Sequence, residues 1–230
     1  MQSIDPLSSV WLQKLDIHQS KVHGFSFRTT NMPVHDDVMS NPLWDELRSH
    51  VRELAFLDGG SDDAFTLASG RTSRWFFDTK PVMMHPGAAQ IVGHLINGRA
   101  SAIGADFVGG LELGAVPLTA LVVATAAKDA ELRGFMVRKE PKGRGGRKTK
   151  NPPGFEGYSM ANGGNVLLLE DVTTTGGSAV KAIERIHNET NCKVIAVLSI
   201  VDREEGAQEV FEDLGIPFES LVLRSHITDM

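Results

Sequence analysis

The sequence has a single cysteine, Cys192, among 230 residues, which excludes an internal disulfide. No stretch approaches the roughly 18 consecutive apolar residues that a membrane span requires. The first thirty residues contain Asp5, Asp16 and His18 and no continuous apolar run, so no secretory signal is expected there and a cytoplasmic protein is. Two glycine signatures of nucleotide binding are also missing, since neither G-x-x-x-x-G-K-[ST] nor G-x-G-x-x-G occurs. His18, His23 and His35 are too irregularly spaced to suggest a metal site. There is no internal repeat, and no linker divides the chain. The net charge of −6, with no helix-turn-helix pattern or basic cluster in residues 1–40, argues against nucleic acid as the partner. Those forty residues lack clear periodicity and read as an extension of undisclosed role, ahead of one domain over 41–230.

What is present centres on residues 165–181, N-V-L-L-L-E-D-V-T-T-T-G-G-S-A-V-K. Residues 166–169 form an apolar run too short for a helix. They stop at two adjacent carboxylates, Glu170 and Asp171, as a buried parallel strand does when it surfaces at its carboxyl end. Open α/β sheets bind ligands at that end. A turn of hydroxyls and glycines follows (Thr173, Thr174, Thr175, Gly176, Gly177, Ser178), and then a helical pattern of Ala179, Val180, Ala182, Ile183 and Ile186. A strand feeding such a turn into a helix amino terminus aims backbone N–H groups and hydroxyls at one point, where the helix dipole favours an anion. The turn suits a phosphate and the two acids suit sugar hydroxyls, so a phosphorylated ribose fits both halves.

Elsewhere, Asn41-Pro42 predicts a helix start, with Leu43, Leu47, Val51 and Leu54 on its inner face. Residues 65–78 read as two short strands joined by a Ser-Gly turn. His85-Pro86 opens another helix, with Ala88, Ile91, Val92, Leu95 and Ile96 on one side. A strand at 106–109 runs into the glycine-bearing G-L-E-L-G-A-V-P of 110–117 and a helix over 116–127. Further strands are expected at 132–137, 193–200 and 218–223, with an amphipathic helix on Ala207, Val210, Phe211 and Leu214. Between Arg138 and Lys150 lie seven basic residues against one acid, Glu140, together with several glycines and prolines. Such a segment cannot bury itself and is suited to closing over a polyanion. It lacks the interleaved aromatics of a nucleic-acid platform. Strands alternating with helices imply a parallel sheet with right-handed crossovers, and five strands are candidates for it. The amino-terminal piece is expected to form a hood over the carboxyl edge, and the terminal strand is a candidate for that hood as well.

Four separated motifs in order, over roughly residues 41–225, resemble those of the orotate phosphoribosyltransferases. They are S-G-R-T-S-R-W-F-F-D, the 110–117 loop, R-K-E-P-K-G-R-G, and the 165–178 strand and turn; the V-D-R of 201–203 matches as well. The resemblance implies a type I phosphoribosyltransferase fold, an α/β architecture with a central, mainly parallel twisted sheet flanked by helices, a hood at about 41–80 and a core at about 81–225. It implies transfer of the phosphoribosyl group of phosphoribosyl pyrophosphate (PRPP) to orotate, giving orotidine 5′-monophosphate and pyrophosphate.

By the same resemblance, Lys139, Lys142, Arg144 and Asp171 are catalytic. PRPP is bound by Arg138, Lys139, Lys142, Arg144, Glu170, Asp171, Val172, Thr173, Thr174, Thr175, Gly176, Gly177 and Ser178. Orotate is held by Phe76, Phe77, Thr174 and Arg203. Mg²⁺ is the cofactor, carried mainly by PRPP and water with no direct protein ligand. The enzyme would be a homodimer whose 138–150 loop covers the neighbouring active site. Three positions depart from the commonest pattern: Ala68 and Gly114 stand where many members have lysine, and Arg144 replaces a histidine. Transfer to another base, or non-catalytic sensing of PRPP, are the alternatives. The first would not need Phe76-Phe77 together with Arg203, and the second would not need a complete basic loop.

Overall fold

A computed structural model describes residues 36–66, 70–141 and 149–230. Its first element is a short helix, α1 (Asp36–Met39), whose Val38 is buried in the main core. The folded unit therefore includes residues ahead of the boundary expected at 40, while residues 1–35 lie outside the described ones. Helix α2 (Trp44–Leu54) starts later than Asn41-Pro42 predicted. The Asn41 side chain accepts a hydrogen bond from the Leu43 N–H at 3.0 Å, and its carbonyl accepts from the Trp44 N–H at 2.9 Å. This local turn competes with a helical start and delays it. Leu47 and Val51, one helical turn apart, are both fully buried.

Four short strands follow: β1 (Phe56–Asp58), β2 (Phe65–Thr66), β3 (Thr72–Ser73) and β4 (Trp75–Phe77). β2 and β3 pair antiparallel, with Phe65 opposite Ser73, as the Ser-Gly turn suggested; Gly70 has φ +80°. Not foreseen was β1, which pairs antiparallel with β4 and sets Phe56 opposite Phe77. Helix α3 (Lys80–Met84) leads into α4 (Pro86–Ile103), where the His85 ring accepts from the Ala88 N–H at 3.3 Å, a side-chain cap on the start marked by His85-Pro86.

The remainder alternates as the pattern required: β5 (Phe107–Leu111), α5 (Ala115–Thr125), β6 (Arg133–Val137), β7 (Phe155–Gly157), β8 (Gly164–Thr173), α6 (Gly177–Glu189), β9 (Cys192–Asp202), α7 (Ala207–Asp213), β10 (Phe218–Leu223) and α8 (Ser225–Thr228). The main sheet has the order β10-β9-β8-β5-β6-β7. All its neighbours are parallel except β7, which runs antiparallel to β6. β7 is the sixth strand and is too short to announce itself by periodicity. β10 lies in this sheet beside β9, not in a hood.

β8 is buried on both faces, which is why its sequence is continuously apolar. Leu167 and Leu169 pack with Leu47, Ile91, Leu118 and Leu198 on one side. Val166 and Leu168 pack with Ile183, Ile186, Phe135 and Phe211 on the other. Full burial of each such side chain contributes about 1.5–3 kcal/mol, so the central strand is fixed firmly between two layers.

The segment from α2 to β4 is tied down at two places. Trp44 Nε1 donates to the Leu221 carbonyl at 2.8 Å, and the Arg48 guanidinium donates to the His226 carbonyl at 3.0 Å. α2 thereby covers part of the free edge of β10, whose outward carbonyls would otherwise be open to another strand. Replacing Trp44 with Phe keeps an aromatic six-membered ring and deletes the N–H together with the five-membered ring that carries it. The expected cost is about 0.5–1.5 kcal/mol in urea denaturation, and an unchanged midpoint would show that the bond contributes nothing.

Candidate active site

β8 carries its apolar run into Glu170 and Asp171 at the carboxyl edge of the sheet. Strand alternation sends their side chains to opposite faces: Glu170 follows Val166 and Leu168 toward α6, and Asp171 follows Leu167 and Leu169 toward α5. Glu170 is buried, and its Oε1 has no hydrogen-bond partner among the described residues. Burial, reinforced by the charge of Asp171, pushes its pKa from an ordinary 4.5 to about 8. Asp171 is raised as well, chiefly by burial, with Lys80 acting in the opposite direction.

Gly114, immediately ahead of α5, lies against the Asp171 carboxyl group. A Cβ at 114 would fall 2.2 Å from it, so glycine at this position leaves the carboxylate its place. Lys80 and Asp78, which sequence reasoning missed, form an ion pair of 2.9 Å close enough to Asp171 to act on its charge. Their bond, and the more distant Asp171, hold Lys80 above its ordinary pKa. The F-D-T-K of 77–80 directly after the aromatic triplet was the available signal.

The turn after the acids has the predicted form. Gly176 adopts φ +78° against the Phe211 ring and serves as N-cap of α6 without any side-chain cap bond, so the first N–H groups of that helix are left for another acceptor. Thr174 is half-buried, and Thr175, Gly177 and Ser178 are exposed. Thr173 is buried instead, its Oγ1 unpartnered among the described residues, and its carbonyl accepts from the Arg203 N–H at 2.9 Å. Val172, half-buried, completes the strand end.

The residues expected to hold orotate are not brought together evenly. Phe76 is half-buried beside Phe65, with ring centroids 5.7 Å apart. Phe77 points to the opposite side of β4 and is buried in the core against Phe56 at 5.2 Å. The pair is split because adjacent strand residues face opposite ways, and only Phe76 stays outside the core. Arg203 is buried at the end of β9. Its Nη2 reaches Ser73 Oγ at 2.9 Å, the Trp75 carbonyl at 3.1 Å and Glu205 at 2.8 Å, while Nε has no partner among the described residues. Arg203 thus also binds the β3–β4 segment to the carboxyl edge.

Lys142 and Arg144 lie outside the described residues, as does Ala68. At the stem of that loop, the Arg138 side chain pairs with Glu156 at 3.0 Å and donates to the Glu140 carbonyl at 3.2 Å; the Lys139 N–H donates to Glu112 Oε1 at 2.8 Å. Among the described residues no three His, Cys, Asp or Glu side chains gather as a metal cage, and no helix is long and apolar enough to cross a membrane.

No protein-family model matches the chain. The orotate phosphoribosyltransferase of Bradyrhizobium diazoefficiens is 44% identical over 157 residues, covering 68% of this chain and 82% of that protein. That of Rhodopseudomonas palustris strain TIE-1 is 42% identical over 166 residues, covering 72% and 87%. Among solved structures, Mycobacterium tuberculosis orotate phosphoribosyltransferase in complex with PRPP aligns with a TM-score of 0.64 at 28% identity, covering 81% of this chain and 99% of that one.

The raised pKa of Glu170 has a consequence for stability. Below about pH 4.5 both folded and unfolded states hold its proton; between 4.5 and about 8 only the folded state does. Stability therefore falls as pH rises through that window and levels off above it. Glu170→Gln removes the dependence. In urea denaturation of the ligand-free protein, the stability of the variant relative to the unsubstituted protein is expected to rise by more than ~1 kcal/mol from pH 5 to pH 8. Asp202, lifted to about 6 by burial, cancels from the comparison. A difference that stays constant with pH would contradict the assignment.

Proposed function

The chain belongs to the orotate phosphoribosyltransferase family, and from that premise we propose that its carboxyl-edge site binds PRPP and orotate and joins them through the residues described. The observation that carries this reading is the end of β8, where two acids lead through a glycine turn into an uncapped helix terminus, in a chain 44% identical over 157 residues to such an enzyme. Residues from about 41 to 80 act as the hood, reaching the edge through the contacts of Ser73 and Trp75 with Arg203.

In the reaction, the bond from the anomeric carbon to pyrophosphate breaks with both electrons leaving on oxygen, a bond to the orotate ring nitrogen forms, and the proton of that nitrogen passes to the departing pyrophosphate or solvent. Positive charge builds on the ribose ring and negative charge on the leaving group. The N–H groups of 174–178 and the start of α6 hold the 5′-phosphate. Asp171 and Glu170 take the ribose hydroxyls, and in their ionised forms favour the cationic ring. Lys139, Lys142 and Arg144 of the basic loop, which together with Arg138 is supplied by the partner subunit of a homodimer, neutralise the departing pyrophosphate. Phe76 and Thr174 place the orotate ring, with Phe77 anchoring β4 in the core against Phe56, and the unpartnered Nε of Arg203 is available to it. Closure of the basic loop excludes water that would hydrolyse the activated ribose.

The donor set suits Mg²⁺, which takes oxygen ligands and commonly one or two carboxylates beside substrate phosphates. Glu170 offers a buried, unpartnered carboxyl oxygen and Asp171 stands beside it in sequence. Mg²⁺ would be carried mainly by PRPP and water, with Glu170 and Asp171 as the acids at the same strand end, and would supply charge neutralisation at the pyrophosphate.

The test is loss of orotate ultraviolet absorbance on addition of PRPP and Mg²⁺, with uracil, hypoxanthine and nicotinate run in parallel. Orotate alone is expected to be consumed. Consumption of another base, or PRPP binding without turnover, would replace the reading. The shared site has its own test. Lys139→Ala and Asp171→Asn are each expected to be nearly inactive. Unfolded together and reassembled in equal amounts, they should recover about a quarter of full activity, because half the dimers then contain one intact composite site. No recovery would mean that each loop serves its own subunit.

A further inference from the structure

One peptide group at the stem of the basic loop is held from two directions by charged side chains. The carbonyl of Arg138 accepts from Arg185 Nη1 at 2.6 Å, and the N–H of Lys139, the other polar group of the same peptide, donates to Glu112 Oε1 at 2.8 Å. The two side chains come from separate parts of the site. Arg185 lies on α6, the helix whose amino terminus follows the phosphate turn. Glu112 lies between β5 and α5, two residues before the glycine that meets Asp171.

Both side chains are themselves braced. Arg185 donates through Nε and Nη2 to the Glu189 carboxylate at 2.7 and 3.2 Å, and its guanidinium carbon lies 5.4 Å from the centre of the Phe155 ring. It also fills the space beside Gly154, where a Cβ would collide with it. The backbone N–H of Glu112 donates to the Val137 carbonyl at 2.8 Å, which leaves its carboxylate level with the peptide two residues on. Among the described residues the Glu112 carboxylate has no cationic side-chain partner, so a surface ion pair does not account for it. Hydrogen bonds with one charged partner are shorter and stronger than neutral ones. A peptide plane fixed at both its N–H and its C=O cannot rotate without breaking one of them. Rotation of that plane is the motion that would re-aim the side chains on either side of it, Arg138 and Lys139.

We infer that Glu112 and Arg185 are positioning residues, which clamp the 138–139 peptide and thereby hold Arg138 and Lys139 in the directions that phosphoribosyl transfer requires. The inference rests on the reading of the basic loop given above. It joins three parts of the site through one peptide: the loop after β5, the stem of the basic loop, and the helix of the phosphate turn.

The test combines kinetics with amide hydrogen exchange on the full-length protein. Glu112→Ala removes the acceptor, and Glu112→Gln keeps an acceptor oxygen in the same place. In Glu112→Ala, kcat is expected to fall by about ten- to a hundredfold with the KM for orotate unchanged, while Glu112→Gln stays within about threefold of the unsubstituted enzyme. Exchange in the 138–141 segment should accelerate at least about tenfold in Glu112→Ala and not in β8. Arg185→Ala should reproduce the pattern, with Arg185→Lys partly restoring it. Unchanged kcat and unchanged exchange in Glu112→Ala would overturn the inference while leaving orotate turnover intact. Faster exchange throughout β8, with Gln and Ala equally impaired, would overturn it in favour of general destabilisation. Absence of orotate turnover in the unsubstituted enzyme would remove the reading beneath it, and so would overturn the catalytic role separately from the clamp.

Discussion

A strand enclosed on both faces can present polar chemistry only at its ends, and β8 does so at its carboxyl end. Val166 to Leu169 are locked between two layers of apolar side chains, so the position of the next two residues is set by packing that a ligand cannot easily disturb. Glu170 and Asp171 are consequently held half inside the protein, where burial raises both their pKa values. The remaining features of the site are arranged around that fixed end. Gly114 yields space to Asp171, Lys80 and Asp78 stand close by, and the turn through Gly176 opens an uncapped helix toward the same edge.

Much of this was legible in the residues. The apolar run, the two acids and the Thr/Gly turn each have a direct physical meaning, and strand, turn and helix appeared in that order, although β8 runs from Gly164 through both acids to Thr173, where the residue pattern places the start of the turn. Helix α4 followed its His85-Pro86 signal, and β10 matched the predicted 218–223. What escaped was set by neighbours in space. β1 and β7 have only three residues each and exist because β4 and β6 offer them edges. The start of α2 shifted because the Asn41 side chain closes a local turn. The split of Phe76 from Phe77 follows from strand alternation once β4 is recognised as a strand. Lys80 and Glu112 sit beside or inside recognised motifs without being singled out by them, Arg185 carries no motif, and their importance emerges only when three separated parts of the chain meet.

The arrangement also gives a physical meaning to the departures from the common family pattern. At 114, an added side chain would enter the space of the Asp171 carboxyl group, so the missing lysine is coupled to where that carboxylate sits. A cation nevertheless stands near Asp171, because Lys80 approaches from the start of α3 and already shares its charge with Asp78.

The claim on which everything else depends is that the end of β8 is the PRPP site. Its most direct test is calorimetric titration of PRPP with Mg²⁺ into the enzyme and into the Glu170→Gln, Asp171→Asn double variant, with folding of the variant checked by circular dichroism. The account requires affinity to fall by at least about tenfold in a variant that remains folded. Equal affinity in the two proteins would contradict it and place the ligand elsewhere.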